Sequence, residues 1–143
     1  MLLTGIMNKI LYVDGGCHGN GQPDLSKRQM IAVVTDDKGV VLIDKHQIGG
    51  SNNVSELLAV LEGIFWCYEN KVEDVEIRTD SRNNFAWVRG GHISRKKKVS
   101  DRALINGLKD SVKSTKGVVN FKLVWVPRDD NLAGHFIEKT YTA

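Results

Sequence analysis

The sequence predicts an α/β fold: a mixed sheet whose early strands are antiparallel and whose later strands alternate with helices. Three observations carry this. Apolar, β-branched runs come first, at residues 8–14 and twice within 30–48. The hydrophobic period then becomes helical over residues 53–69. After it, strand-like and helix-like segments alternate, as they do where strands join in parallel.

Residues 8–14, rich in Ile, Leu, Tyr and Val, form the first strand. "MIAVVTDDKGVVLIDKHQI" at 30–48 is a hairpin around "DDKG", with Gly39 supplying the permissive backbone. "GGSNNV" breaks the pattern, and Ser51, Asn52 or Asn53 can cap the helix that follows. Leu57, Leu58, Leu61, Ile64, Phe65 and Tyr68 mark its apolar stripe. "VEDVEIRTD" is a short strand in which Val75 and Ile77 alternate, and "SRNNFAWVRG" is a short helix ended by Gly90 and Gly91. "DRALINGLKDSVKS" is an amphipathic helix with Leu104, Ile105 and Leu108 inward. "VVNFKLVWV" is the last strand, and residues 131–139 form a final short helix. The order is β-β-β-α-β-α-α-β-α.

A chain of 143 residues, 41% apolar and 26% charged, fits one ordered domain with a normal core. Residues 1–7 are expected to be a loose leader and 8–143 a single domain; the apolar start is too short for a signal peptide. No run approaches the ~20 apolar residues of a membrane span. Cys17 and Cys67 lack metal-type spacing and read as free thiols of a reducing cytoplasm. The net charge is +3, and "SRKKKVSDR" at 94–102 holds five of the twenty basic residues. That run reads as a phosphate-facing loop or a solvated one.

Acids fall at element ends. Asp14 is expected to end the first strand and Asp80 the fourth, while Glu56 sits in the first turn of the long helix. Each has an ordinary alternative: a turn-forming Asp, an Asp beside a helix cap, a capping-box Glu answering Asn53. Ligand sites gather beyond strand ends where connections switch direction. If the first and fourth strands are parallel neighbours, the carboxylates converge. They would then repel one another unless a cation sat among them. Oxygen donors of this kind suit Mg²⁺, and two such ions could activate water and stabilise the leaving oxygen of a phosphodiester.

"YVDGGCHGN" at 12–20, "SNNVSELLAVLEGI" at 51–64, "TDS" at 79–81 and "WVPRDDNLAGH" at 125–135 together resemble the type 1 ribonuclease H family. They stand in the family order, and the likeness spans residues 8 to 139. It implies a ribonuclease H-like fold: a five-stranded mixed sheet, three strands antiparallel and then parallel, with helices on both faces. It implies metal-dependent hydrolysis of the RNA strand of RNA–DNA hybrids with Mg²⁺, or Mn²⁺ as substitute, and no strong sequence preference. Asp14, Glu56 and Asp80 then become metal-binding catalytic residues. Cys17, Gly19 and Asn20, with Asn52 and Asn53, match the residues that grip the hybrid; Gly15, Ser81, Arg128 and Asn131 join them as candidate substrate contacts. Asn amides suit a wide minor groove lined by 2′-hydroxyls, or alternatively form turns.

Two departures from the family matter. Its fourth acid stands four residues after the final-motif Asn, and counting from Asn131 reaches His135. His135 is therefore expected at the site edge, aiding metal binding or proton transfer, ahead of Glu138, Asp129 and Asp130. The glycine-rich, histidine-bearing loop of many members is replaced by the compact "VPRDDN". Arg95, Lys96, Lys97 and Lys98 occupy the interval of the family's basic protrusion, and Trp87 is a stacking candidate or a core residue. The hybrid is the expected partner of a monomer. The competing readings are a structure-specific nuclease or 3′-exonuclease on the same fold, and a nucleic-acid-binding module without turnover. A pure binder gains nothing from acids clustered where phosphate must approach.

Overall fold

A computed structural model of the chain describes residues 8–91, 93, 97 and 99–141. The leader at 1–7 and Arg95, Lys96 and Lys98 lie outside the described residues. The elements are β1 (Asn8–His18), β2 (Gln29–Asp36), β3 (Val41–Ile48), α1 (Asn52–Glu69), β4 (Asp74–Thr79), α2 (Arg82–Val88), α3 (Val99–Ser114), β5 (Asn120–Trp125) and α4 (Leu132–Tyr141). Their order is the one expected from the hydrophobic periods. The five strands lie in the order β3-β2-β1-β4-β5. β1, β2 and β3 pair antiparallel, and β1, β4 and β5 pair parallel.

Alternation along β1 divides the interior into two layers. Leu11 and Val13 enter the larger core with Ala32, Val34, Leu57, Val60 and Ile64, between the sheet and α1. Tyr12 faces the other way and packs with Val33, Ala133 and Ile137 under α4. Helices therefore cover both faces. Gly15 brings β1 and α1 together: a Cβ there would lie 2.5 Å from Glu56 N, closer than any side chain permits.

Three sequence expectations need correcting. Asp14 does not end its strand. β1 continues to His18, still paired with β2, whereas its parallel pairing with β4 stops at Tyr12 and Arg78. Asp14 thus stands where β1 loses its neighbour on one side. Phe65 and Tyr68 are exposed on α1, whereas Ile64 and Cys67 beside them are fully buried, so the inward face of the helix at that end runs through Ile64 and Cys67. Leu104 is also exposed, and the inward stripe of α3 passes through Ile105, Leu108 and Val112.

Candidate active site

Three elements deliver the acids to one place. β1 carries Asp14 into the gap beside β4, and β4 ends just before Asp80. α1 begins at a Ser51 cap, whose hydroxyl accepts from Val54 N, so Glu56 falls in its second turn beside β1. The capping alternative for Glu56 therefore gives way to Ser51. Asp14, Glu56 and Asp80 each offer an oxygen, all within 4.8 Å of one another. Among the described residues they are the group so placed.

Burial and mutual repulsion shape their chemistry. Burial, then the charges of Asp80 and Glu56, push the Asp14 carboxyl up to about 8, against the opposing pull of the Gly15 amide and Arg128. Burial raises Glu56 to about 7; the Ser81 hydroxyl and Arg128 restrain the rise and Asp80 adds to it. Without a cation the cluster must hold protons at neutral pH. That strain, and a donor set made wholly of carboxylates, fit a hard divalent ion bound by Asp14, Glu56 and Asp80.

Asp80 is held from two sides. Asn131 Nδ2 reaches its Oδ2 at 3.2 Å and the Val13 carbonyl at 3.0 Å. The Trp125 indole N–H donates to the Asp80 carbonyl at 3.1 Å, and the Arg82 guanidinium lies 4.1 Å from the centre of the Trp125 ring. Asn131 is fully buried, and its Oδ1 accepts from Ala133 N at the start of α4. This corrects its reading as a substrate contact, since a buried amide engaged on both sides positions Asp80 instead. Ser81 is likewise buried, capping α2 through Asn84 N and bonding Glu56. Trp87 is only 4% exposed and belongs to the core, so it offers no face for stacking. Lys97 Nζ lies 5.7 Å from the centre of its ring.

The acids open into a cleft of about 370 Å³ whose rim includes Gly15, Gly16, Cys17, His18, Asn52, Arg128 and Glu138. Asn52 Oδ1 accepts from Cys17 N at 2.7 Å, and Asn20 Oδ1 accepts from Asn52 N at 3.1 Å. The turn after β1, where Gly19 has φ of 77°, is thereby stitched to the start of α1. Asn20 and Asn52 are exposed, and Asn53 accepts from Asn83 Nδ2 at 3.3 Å. A larger hollow of about 1010 Å³ lies at the opposite end of β4 and β5, beside Asp74 and Asn120, and carries none of the candidate acids.

α4 turns a different residue to the acids than the spacing from Asn131 suggested. A Cβ on Gly134 would lie 3.0 Å from Asp14 Oδ2, so position 134 faces the cluster. His135 is exposed and does not line the cleft. Gly134, inside "WVPRDDNLAGH" but given no role by it, and Tyr141, outside every motif, also line the cleft. Tyr141 Oη donates to Asp44 Oδ2 at 2.5 Å and lies 3.1 Å from His46 Nε2, joining α4 to β3. Its only sequence signal was a place seven residues, two helical turns, beyond Gly134.

The comparisons agree with this architecture. The RNase H family model matches residues 7–134. A search of curated proteins finds no match. Among solved structures, the chain is similar to RNase H1 of the halophilic archaeon Halobacterium salinarum, at 17% identity over 96% of this chain and 100% of that one, TM-score 0.68. It is similar to the N-terminal RNase H domain of a Mycobacterium tuberculosis protein, at 21% identity over 89% and 92%, TM-score 0.65. LC11-RNase H1, isolated from compost by a metagenomic approach and crystallised with an RNA/DNA hybrid, matches at 25% identity over 86% and 88%, TM-score 0.55. With its mixed sheet, its convergent Asp14, Glu56 and Asp80, and a family match over most of its length, the chain belongs to the ribonuclease H family of hydrolases, among the type 1 enzymes.

Proposed function

We propose that this protein hydrolyses the RNA strand of RNA–DNA hybrids, endonucleolytically, without strong sequence preference and with divalent metal, Mg²⁺ or Mn²⁺. The observation that carries the reading is the convergence of Asp14, Glu56 and Asp80 within 4.8 Å, beside a cleft rimmed by backbone and amides. Asp14, Glu56 and Asp80 would hold the cations. When bound, such ions supply a water of lowered pKa and charge stabilisation at the leaving oxygen.

The chain's own residues orient and select. Asn131 keeps the Asp80 carboxylate aimed at the cluster. Arg128, whose charge already reaches Asp14 and Glu56, stands at the rim where a phosphate would enter. The oxygens of Asn20 and Asn52 are committed to backbone amides, which leaves their Nδ2 groups as the donors for a minor groove. A 2′-hydroxyl beside the scissile phosphate would let the site tell RNA from DNA without reading bases. The two thiols, Cys17 and Cys67, suit a reducing cytoplasm, and a monomer is the working state we propose.

The test is cleavage of matched labelled RNA–DNA, RNA–RNA and DNA–DNA duplexes with Mg²⁺, Mn²⁺ or EDTA. Metal-dependent internal cuts confined to the RNA of the hybrid are expected. Cuts in either homoduplex favour a structure-specific nuclease, end-trimming favours an exonuclease, and binding without cuts favours a module without turnover.

A further inference from the structure

We propose that Glu138 supplies the fourth carboxylate of the acidic site, exchanging Arg128 for a divalent cation. The inference rests on the reading that Asp14, Glu56 and Asp80 hold such a cation.

The argument starts from how α4 is turned. Ala133 and Ile137 are buried against Tyr12 and Val33, which fixes the rotation of the helix. Residues 134 and 138 then follow on the flank that lines the cleft. Position 134 faces Asp14 directly, but it is glycine and brings no ligand. His135 lies about 100° further around the helix, exposed and away from the cleft. Asp129 and Asp130 are exposed in the turn ahead of Asn131, and neither lines the cleft.

Glu138 is one turn beyond Gly134. Helical side chains lean toward the N-terminus of their helix, over the preceding turn. For Glu138 the preceding turn contains Gly134, so no side chain there blocks its carboxylate from swinging toward Asp14. Glu has one methylene more than Asp, which lengthens its reach across that gap. Its Oε1 lies 3.4 Å from Arg128 Nη2, with the two side chains 58% and 79% exposed. An ion pair so long and so exposed is weak, and a divalent cation among three carboxylates is the stronger attraction. Release of Glu138 also frees Arg128 for a phosphate.

The experiment is a Mn²⁺ titration of the full chain without nucleic acid, read by calorimetry and by electron paramagnetic resonance. Glu138→Gln is expected to weaken Mn²⁺ binding by about tenfold or to remove one bound ion, since affinity follows ligand charge. Glu138→Asp, with its shorter reach, should fall between Glu138→Gln and wild type. His135→Ala should bind as wild type does. Arg128→Ala should bind Mn²⁺ as tightly or more tightly, because it removes a competing cation.

Wild-type affinity and stoichiometry in Glu138→Gln would overturn the proposal. So would an Arg128→Ala variant that weakens Mn²⁺ binding as much as Glu138→Gln, because Glu138 would then act only by holding Arg128. Melting temperatures in EDTA within about 2 °C of wild type show that the variants fold. A wild type that binds no Mn²⁺ defeats both this proposal and the cation reading. One that binds Mn²⁺ and cleaves hybrid, while Glu138→Gln is unchanged in Mn²⁺ binding, defeats this proposal alone.

Discussion

Asn131 ties Asp80 to the strand that carries Asp14: one amide nitrogen donates to Asp80 Oδ2 at 3.2 Å and to the Val13 carbonyl at 3.0 Å. The same side chain starts α4 by accepting from Ala133 N. One buried residue therefore sets the spacing between two acids and the approach of the helix above them.

Replacing Asn131 with alanine should cost about 1–3 kcal/mol, because the Val13 carbonyl loses a buried partner. It should also lower hybrid cleavage by about 10–100-fold through a misplaced Asp80. Denaturant titration and steady-state kinetics check the two parts. A fall in kcat with KM little changed is expected, since Asn131 is fully buried and does not reach substrate.

The proton on Asp14 makes stability fall as pH rises. Its carboxyl sits at about 8 in the folded protein against 3.8 for an ordinary Asp, so the folded state binds the proton more tightly. That stabilisation is complete below about pH 4 and is lost progressively up to about pH 8. Glu56, at about 7, adds loss in the same direction between about 4.5 and 7. Thermal unfolding in EDTA should show a melting temperature that declines across this window, and Asp14→Asn should flatten the decline. A divalent cation should restore more stability at pH 8 than at pH 5.

Asp14→Asn, Glu56→Gln and Asp80→Asn should each abolish hybrid cleavage while circular dichroism stays that of the wild type. Each change removes a charge from the cluster at almost constant shape. Asp14→Asn should also raise the melting temperature at pH 8, because burying a neutral amide avoids the repulsion from Asp80 and Glu56. Full activity in any of the three would remove that residue from the cation site.

Gly15→Ala should destabilise the fold by about 1–3 kcal/mol, as overpacking does. Its new Cβ would lie 2.5 Å from Glu56 N, and backbone on both sides must move. Urea denaturation measures the loss. The hybrid-cleavage rate should fall as well, because the displaced segment of α1 carries Glu56.

Much of the architecture was legible in the sequence because it follows from local patterns. The alternation of Val75 and Ile77 and the helical spacing of Leu57, Leu61 and Ile64 are periods of single elements. What misled was the edge of each pattern. Phe65 and Tyr68 keep the helical spacing, yet they face solvent while Ile64 and Cys67 beside them are buried, because spacing alone does not say how wide a face the neighbouring elements cover. Trp87 lies between the "TDS" motif and a basic run and could be assigned to nucleic acid or to core; packing places it in the core.

The sequence by itself determined which acids could meet, because Asp14, Glu56 and Asp80 sit at fixed distances from a strand run, a helix cap and a strand end. It also determined the order of elements that brings them together. The tertiary structure alone decided how α4 faces them. Counting from Asn131 singled out His135, but a helix turns about 100° per residue, so one position's difference changes the face presented. Burial of Ala133 and Ile137 against Tyr12 and Val33 sets that rotation, and it turns Gly134 toward Asp14, with Glu138 one turn behind.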